Sequence, residues 1–143
     1  MPENEGDEQR RHFHDLVREV STRLDGKLEI SSSGDVSIVA TLAKGRKQRV
    51  YLQLDEDTIR YSTQCSSWTS DLLNPNLFKT LLRKNYHLKH GFFALNPEGG
   101  LELVDTQLLE TADPEELYVS IVNLATVGDF MEQELSKSQE DVF

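Results

Sequence analysis

Cysteine is nearly missing from this sequence: Cys65 is the single one among 143 residues. One thiol forms no intrachain disulfide and supplies no cysteine-based zinc site. Nothing points to an oxidising compartment, so a cytoplasmic location is expected. Positive charge is also short. There are 15 Lys+Arg against 25 Asp+Glu, a net charge of −10. Nucleic-acid affinity comes from Lys and Arg neutralising phosphates, so this balance argues against a nucleic-acid partner. The densest basic stretch, Lys44-Gly45-Arg46-Lys47-Gln48-Arg49, lies between two strand-like runs and reads as a solvated hairpin loop. No apolar run approaches the ~20 residues that span a bilayer, so no membrane partner is expected. The acidic opening Met1 to Glu8 has neither the basic start nor the apolar core of a signal peptide.

The usual signatures of catalysis are missing as well. There is no Gly-x-Ser-x-Gly elbow, no Gly-x-Gly-x-x-Gly and no phosphate-cradling loop ending in Gly-Lys-Ser/Thr. His12 and His14 are two apart, which on a helix points them about 200° from each other. His87 and His90 have a spacing that suits metal ligation, but no third ligand stands nearby, and a surface role is expected. Asp55-Glu56-Asp57 lacks the spaced ligands of an EF-hand and reads as a turn. No Cys-protease signature surrounds Cys65, which is read as a packed small residue. The expectation is a chain with no catalytic residues, no cofactor and no metal.

What is present is a clear alternation of periods. Phe13, Leu16, Val17, Val20 and Leu24 recur as one face of a helix, and Gly26 is a suitable stop. The period then becomes two. Leu28 and Ile30 begin it, and Val36, Ile38, Ala40 and Leu42 follow after the turn Ser31 to Asp35. Val50, Leu52 and Leu54 come next, then Ile59, Tyr61 and Thr63 after Asp55-Glu56-Asp57. This predicts an antiparallel meander of about four strands. Asn74-Pro75 opens a second helix with Leu77, Phe78, Leu81 and Leu82 as its apolar residues. Phe92 to Leu95 and Leu101 to Val104 read as two strands around the hairpin signal Asn96-Pro97-Glu98-Gly99-Gly100. Asp113-Pro114-Glu115-Glu116 is a strong helix start. Leu117, Ile121, Leu124, Gly128, Met131 and Leu135 form its stripe, with Val119, Val122 and Phe130 beside it. The stripe is wide enough either for a well-buried core helix or for one whose second edge meets another chain. The order α-ββββ-α-ββ-α describes an α+β fold, an antiparallel sheet with three helices. One domain covers 1–143, with 9–136 ordered and both ends, 1–8 and 137–143, frayed.

Aromatic residues favour binding over catalysis. Tyr51 and Tyr61 flank one turn, so strand register could place them on one face; Tyr51 also has the opposite parity from Val50, Leu52 and Leu54, which points it to the sheet face away from the core, and Trp68 falls in a loop. The stretch Leu82-Arg83-Lys84-Asn85, a short link, Gly91 and the strand Phe92-Phe93-Ala94-Leu95 resembles the type III secretion chaperone-like superfamily, with the YbjN-like branch nearest. The hairpin from Asn96, the strand from Leu101 and the helix from Asp113 continue the resemblance. It implies a small acidic cytoplasmic domain, often a homodimer, that holds a disordered client segment on apolar helix and sheet surface. It offers no catalytic residues to carry over. His87, Lys89 and His90 depart from an apolar client groove in making the helix-to-strand link basic. The expected function is a non-catalytic protein-binding module, chaperone-like or regulatory, with Leu77, Phe78, Leu81, Tyr51 and Tyr61 as the candidate partner or dimer residues. A structural assembly subunit stays open as an alternative, as does a small-ligand protein or enzyme.

Overall fold

The computed structural model describes residues 2–24, 26–32, 35–66 and 75–140, and side chains within 5–135 of these. Helix α1 spans Pro2–Leu24. It begins well before the apolar period that announces it, and its residues from Glu5 to His12 are exposed. From Phe13 onward Phe13, Leu16, Val17 and Val20 are buried, as the spacing predicts. Strands β1 (Lys27–Ile30), β2 (Val36–Thr41), β3 (Lys47–Asp55) and β4 (Thr58–Ser66) form the expected meander. Helix α2 (Pro75–His87), β5 (Phe92–Leu95), β6 (Leu101–Leu108) and α3 (Pro114–Glu140) complete the chain. Trp68 and the N-cap position Asn74 lie outside the described residues.

Among the described residues six strands join one antiparallel sheet in the order β1-β2-β3-β4-β6-β5. The last hairpin therefore docks with β6 against β4 and leaves β5 at the edge. Val36, Ile38, Val50, Leu52, Ile59 and Leu103 on one face meet α1 and α3 in a single core. Each such side chain stabilises the fold by roughly 1.5–3 kcal/mol relative to exposure. Helix α3 is the keel. Leu117, Ile121, Leu124, Ala125, Met131 and Leu135 are buried, whereas Val119 and Phe130 are exposed. Asp113 caps it, its Oδ1 accepting the N–H groups of Glu115 (2.7 Å) and Glu116 (3.2 Å). Arg23 at the end of α1 pairs with Glu115, tying the two helix ends together.

Gly128 marks where α3 lies closest to the sheet. A Cβ built there would stand 2.4 Å from Thr63 Cγ2, so no larger residue fits without the helix lifting. Beneath it the buried polar groups are matched. Gln48 Nε2 donates to Thr63 Oγ1 at 2.8 Å and to the Gln64 carbonyl at 3.1 Å, and Thr63 Oγ1 donates to the Arg49 carbonyl at 2.7 Å.

The basic stretch 44–49 is not simply solvated. Arg46 holds Asp129 on α3 with Nε 3.0 Å from both carboxylate oxygens and a terminal nitrogen 2.9 Å from Oδ1. Gln133 donates to the same carboxylate at 2.9 Å. Arg49 donates to Glu29 Oε2 at 2.6 Å and to Ser37 Oγ at 2.9 Å. That hydrogen bond, with the attraction behind it, holds the Glu29 carboxyl below the usual range. Two cations that read as free are thus fasteners between elements distant in sequence.

Candidate protein-binding surface

Strand register decides where the two tyrosines go. The β3–β4 hairpin pairs Leu52 with Tyr61 and Tyr51 with Ser62. Paired residues share a face, so Tyr61 goes to the core and Tyr51 to the opposite side. The reading that places both on one face is therefore corrected, while the parity that sends Tyr51 to the face away from the core holds. Tyr61 is fully buried and Tyr51 is 50% exposed. The Tyr61 hydroxyl donates to Asp105 Oδ2 and accepts from Gln107 Nε2, both at 3.1 Å, and Gln107 also donates to Ser120 Oγ at 3.0 Å. Burial pushes the Tyr61 hydroxyl up to about 12. Cys65 is buried beneath α3, and burial likewise pushes its thiol up to about 12, which leaves it a poor nucleophile.

Helix α2 has three distinct sides. Leu81 is buried, and Leu77, Phe78 and Leu88 are half-buried. Of the candidate contact residues on this helix, Leu77 and Phe78 keep partial access and Leu81 belongs to the interior. Asn85 lies on the same inward side. It accepts the Phe93 N–H at 2.7 Å and donates to the Phe93 carbonyl at 3.2 Å. Those two groups face the free edge of β5, so the asparagine closes the middle of that edge against another strand. At 100° per residue, Leu82 and Tyr86 fall together on one outer shoulder, 68% and 86% exposed. Sequence reading misses this pair, although its i, i+4 spacing is visible. Phe92 and Leu95 on β5 add two more exposed apolar side chains.

The other shoulder of α2 faces α3 across an open groove of about 500 Å³. Leu88, Phe93, Val127, Phe130 and Met131 make its apolar lining. Thr80, Arg83, Lys84 and His87 form its α2 wall. Gly91, at φ +82°, makes the sharp turn into β5, where a Cβ would stand 3.2 Å from the Val104 carbonyl oxygen.

His87, His90, Glu98 and Asp105 do not gather in one cleft. His87 lines the α2–α3 groove, and its ring packs edge-on against Tyr86. His90 lies with Asp105, Glu115 and Glu116 in a different depression, and Glu98 sits in the β5–β6 turn, where Asn96 accepts its N–H at 3.0 Å. Among the described residues no group of three or more His, Cys, Asp or Glu side chains is placed to hold a metal ion, and no helix is long and apolar enough to cross a membrane.

No family model matches the sequence, and no curated protein matches it. Solved structures do match in fold. The Yersinia pestis type III secretion chaperone SycH, solved with a fragment of YscM2, is similar at TM-score 0.57 and 18% identity, over 82% of this chain and 97% of that one. A chain of the HopA1–SchA chaperone–effector complex is similar at TM-score 0.64 and 9% identity, over 87% and 95%. YbjN from E. coli is similar at TM-score 0.59 and 14% identity, over 87% and 92%. The chain therefore has the secretion chaperone-like α+β fold that the element order and the Leu-x-x-Asn stretch anticipate.

Proposed function

We propose that this chain is a non-catalytic, chaperone-like protein-binding module that holds a segment of another protein on apolar helix and sheet surface, and that it works as a cytoplasmic homodimer. The observation that carries the reading is the set of apolar side chains left exposed at the α2–β5 end: Leu82 and Tyr86 on one shoulder of α2, Phe130 across the groove from its other shoulder, Leu95 on the edge strand, and Phe92 on the opposite face of that strand. A chain with a well-filled core has no structural use for five such residues at one end of its sheet. Exposed aromatic and aliphatic side chains in one neighbourhood are what protein interfaces are built on. Fold neighbours that include chaperones bound to effector or partner proteins support the same reading. Within it, Leu82 and Tyr86, with the accessible parts of Leu77 and Phe78, serve self-association. Tyr51 offers a separate contact on the outer sheet face. Leu81 and Tyr61 support these surfaces from inside the core.

Photo-crosslinking tests the reading. A benzophenone side chain placed at Tyr86 should yield a self-adduct, and one at Phe130 an adduct with a second protein. The same group at exposed Arg60, on the outer face of β4, should yield neither. Absence of adducts from both Tyr86 and Phe130 in cell extract overturns the proposal.

A further inference from the structure

We propose that the α2–α3 groove takes an acidic amphipathic helix of a partner protein; this rests on the protein-binding reading and specifies the chemistry of what is bound. The first observation is charge segregation. Between Asp71 and Glu98 there is no acid, and Lys79, Arg83, Lys84 and Lys89 contribute +4, which leaves −14 for the rest of a chain whose net charge is −10. The second is that these cations are not spent on the fold. Arg18, Arg23, Arg46 and Arg49 each hold a carboxylate of this chain, whereas Arg83 and Lys84 hold none among the described residues. Both stand on the wall of the groove, one residue apart in sequence, with His87 one turn further along.

The lining fixes the rest of the occupant. Phe93, Val127, Phe130 and Met131 demand an apolar stripe, which a nucleic-acid backbone does not have and a planar membrane surface does not insert into a concave site. Phe130 remains 55% exposed, an apolar side chain with uncovered surface at the mouth. A strand is disfavoured as the occupant, because Asn85 already satisfies the Phe93 N–H and carbonyl at the nearby sheet edge. A helix satisfies its own backbone and needs no such edge. The groove wall from Thr80 to His87 runs about 10 Å, two helical turns, which suits anchors at i, i+3 or i+4 and i+7. Apolar anchors would cover Phe93 and Phe130 while flanking Glu or Asp residues reach Arg83 and Lys84.

Two fluorescent helix-forming peptides of about 18 residues, alike in a Leu stripe and differing in Glu or Lys on the polar face, decide the matter by anisotropy. The net charge of −10 by itself favours the Lys peptide, so a preference for Glu can only come from the local wall. The expected result is binding of the Glu peptide at least about tenfold tighter than the Lys peptide at low salt. R83E/K84E should reverse that order, and Phe130→Asp should weaken both peptides, with melting curves confirming that each variant folds. If both peptides bind, Phe130→Asp weakens both and the Lys peptide ties or wins, the acidic specificity is overturned and the segment-holding reading stands. If neither binds the wild-type chain, both fall at this groove. Tighter binding to phosphatidylserine vesicles than to the Glu peptide overturns the proposal in favour of a lipid surface.

Discussion

The two ends of the sheet are finished differently. Over β2, β3 and β4, cations are used to fasten the structure: Arg46 grips Asp129, Arg49 grips Glu29, and α3 lies so close that Gly128 is in contact with Thr63. At the α2–β5 end the cations Arg83 and Lys84 face open space, and Leu82, Tyr86 and Phe130 are left uncovered. The same amounts of charge and apolar surface could have closed this end too. Charge and apolar surface left exposed at one place, beside a strand edge capped by Asn85, are the features on which the proposed partner surface rests.

The comparison is sharpest in the stability of single-residue variants. Ile121→Ala, in the closed region, should cost about 2–5 kcal/mol in denaturant unfolding, while Leu82→Ala at the open end should stay within about 0.5 kcal/mol when unfolding is measured below the concentration of self-association. Equal losses would mean that α2's shoulder is structural. Next in size is Gly128→Ala. It gains helix propensity but drives a methyl into Thr63, and a net loss of about 1–3 kcal/mol is expected; a neutral result would show that α3 is not pinned to the sheet.

Alkaline pH should weaken the closed region specifically. The Tyr61 hydroxyl and the Cys65 thiol are both pushed up to about 12 by burial, so the unfolded chain releases these protons at lower pH than the folded one. Their contribution to stability is complete below the ordinary thiol value of about 8.5 and is lost as pH rises from there towards 12. Melting temperatures should fall across that window, with Cys65 resisting iodoacetamide until unfolding; a flat profile to pH 11 would contradict the burial of both groups. The smallest effect belongs to Glu56, which takes φ +55° at the first central position of the β3–β4 hairpin. Glu56→Gly should add about 0.4–1 kcal/mol or less, since glycine adopts that backbone without strain.

Much of the architecture is legible from period alone, because each helix and strand carries its own pattern: Phe13 to Val20 every three or four residues, Val50 to Leu54 every two. What sequence reading misses is non-local. Nothing local tells Arg46 that its partner lies 83 residues away on α3. Nothing in the period places β6 between β4 and β5. The tyrosines illustrate how fine the margin is. The two-residue turn at Glu56 and Asp57 pairs Asp55 with Thr58, and a register one residue different would have put Tyr51 and Tyr61 on the same face. Of the candidate contact residues on α2, Leu77 and Phe78 keep partial exposure and Leu81 is buried, whereas Leu82 and Tyr86 are the exposed ones. An amphipathic pattern does not say which of two adjacent leucines faces the core until the sheet beneath is known.

The claim that the uncovered shoulder of α2 is completed by a second copy of this chain is tested most directly by light scattering over a dilution series. The account predicts a mass near twice 16.3 kDa that dissociates on dilution, and that Leu82→Glu with Tyr86→Glu reduces to the mass of one chain, with melting matching the wild type when both are measured below the concentration of self-association. A mass of 16.3 kDa at every concentration would contradict it.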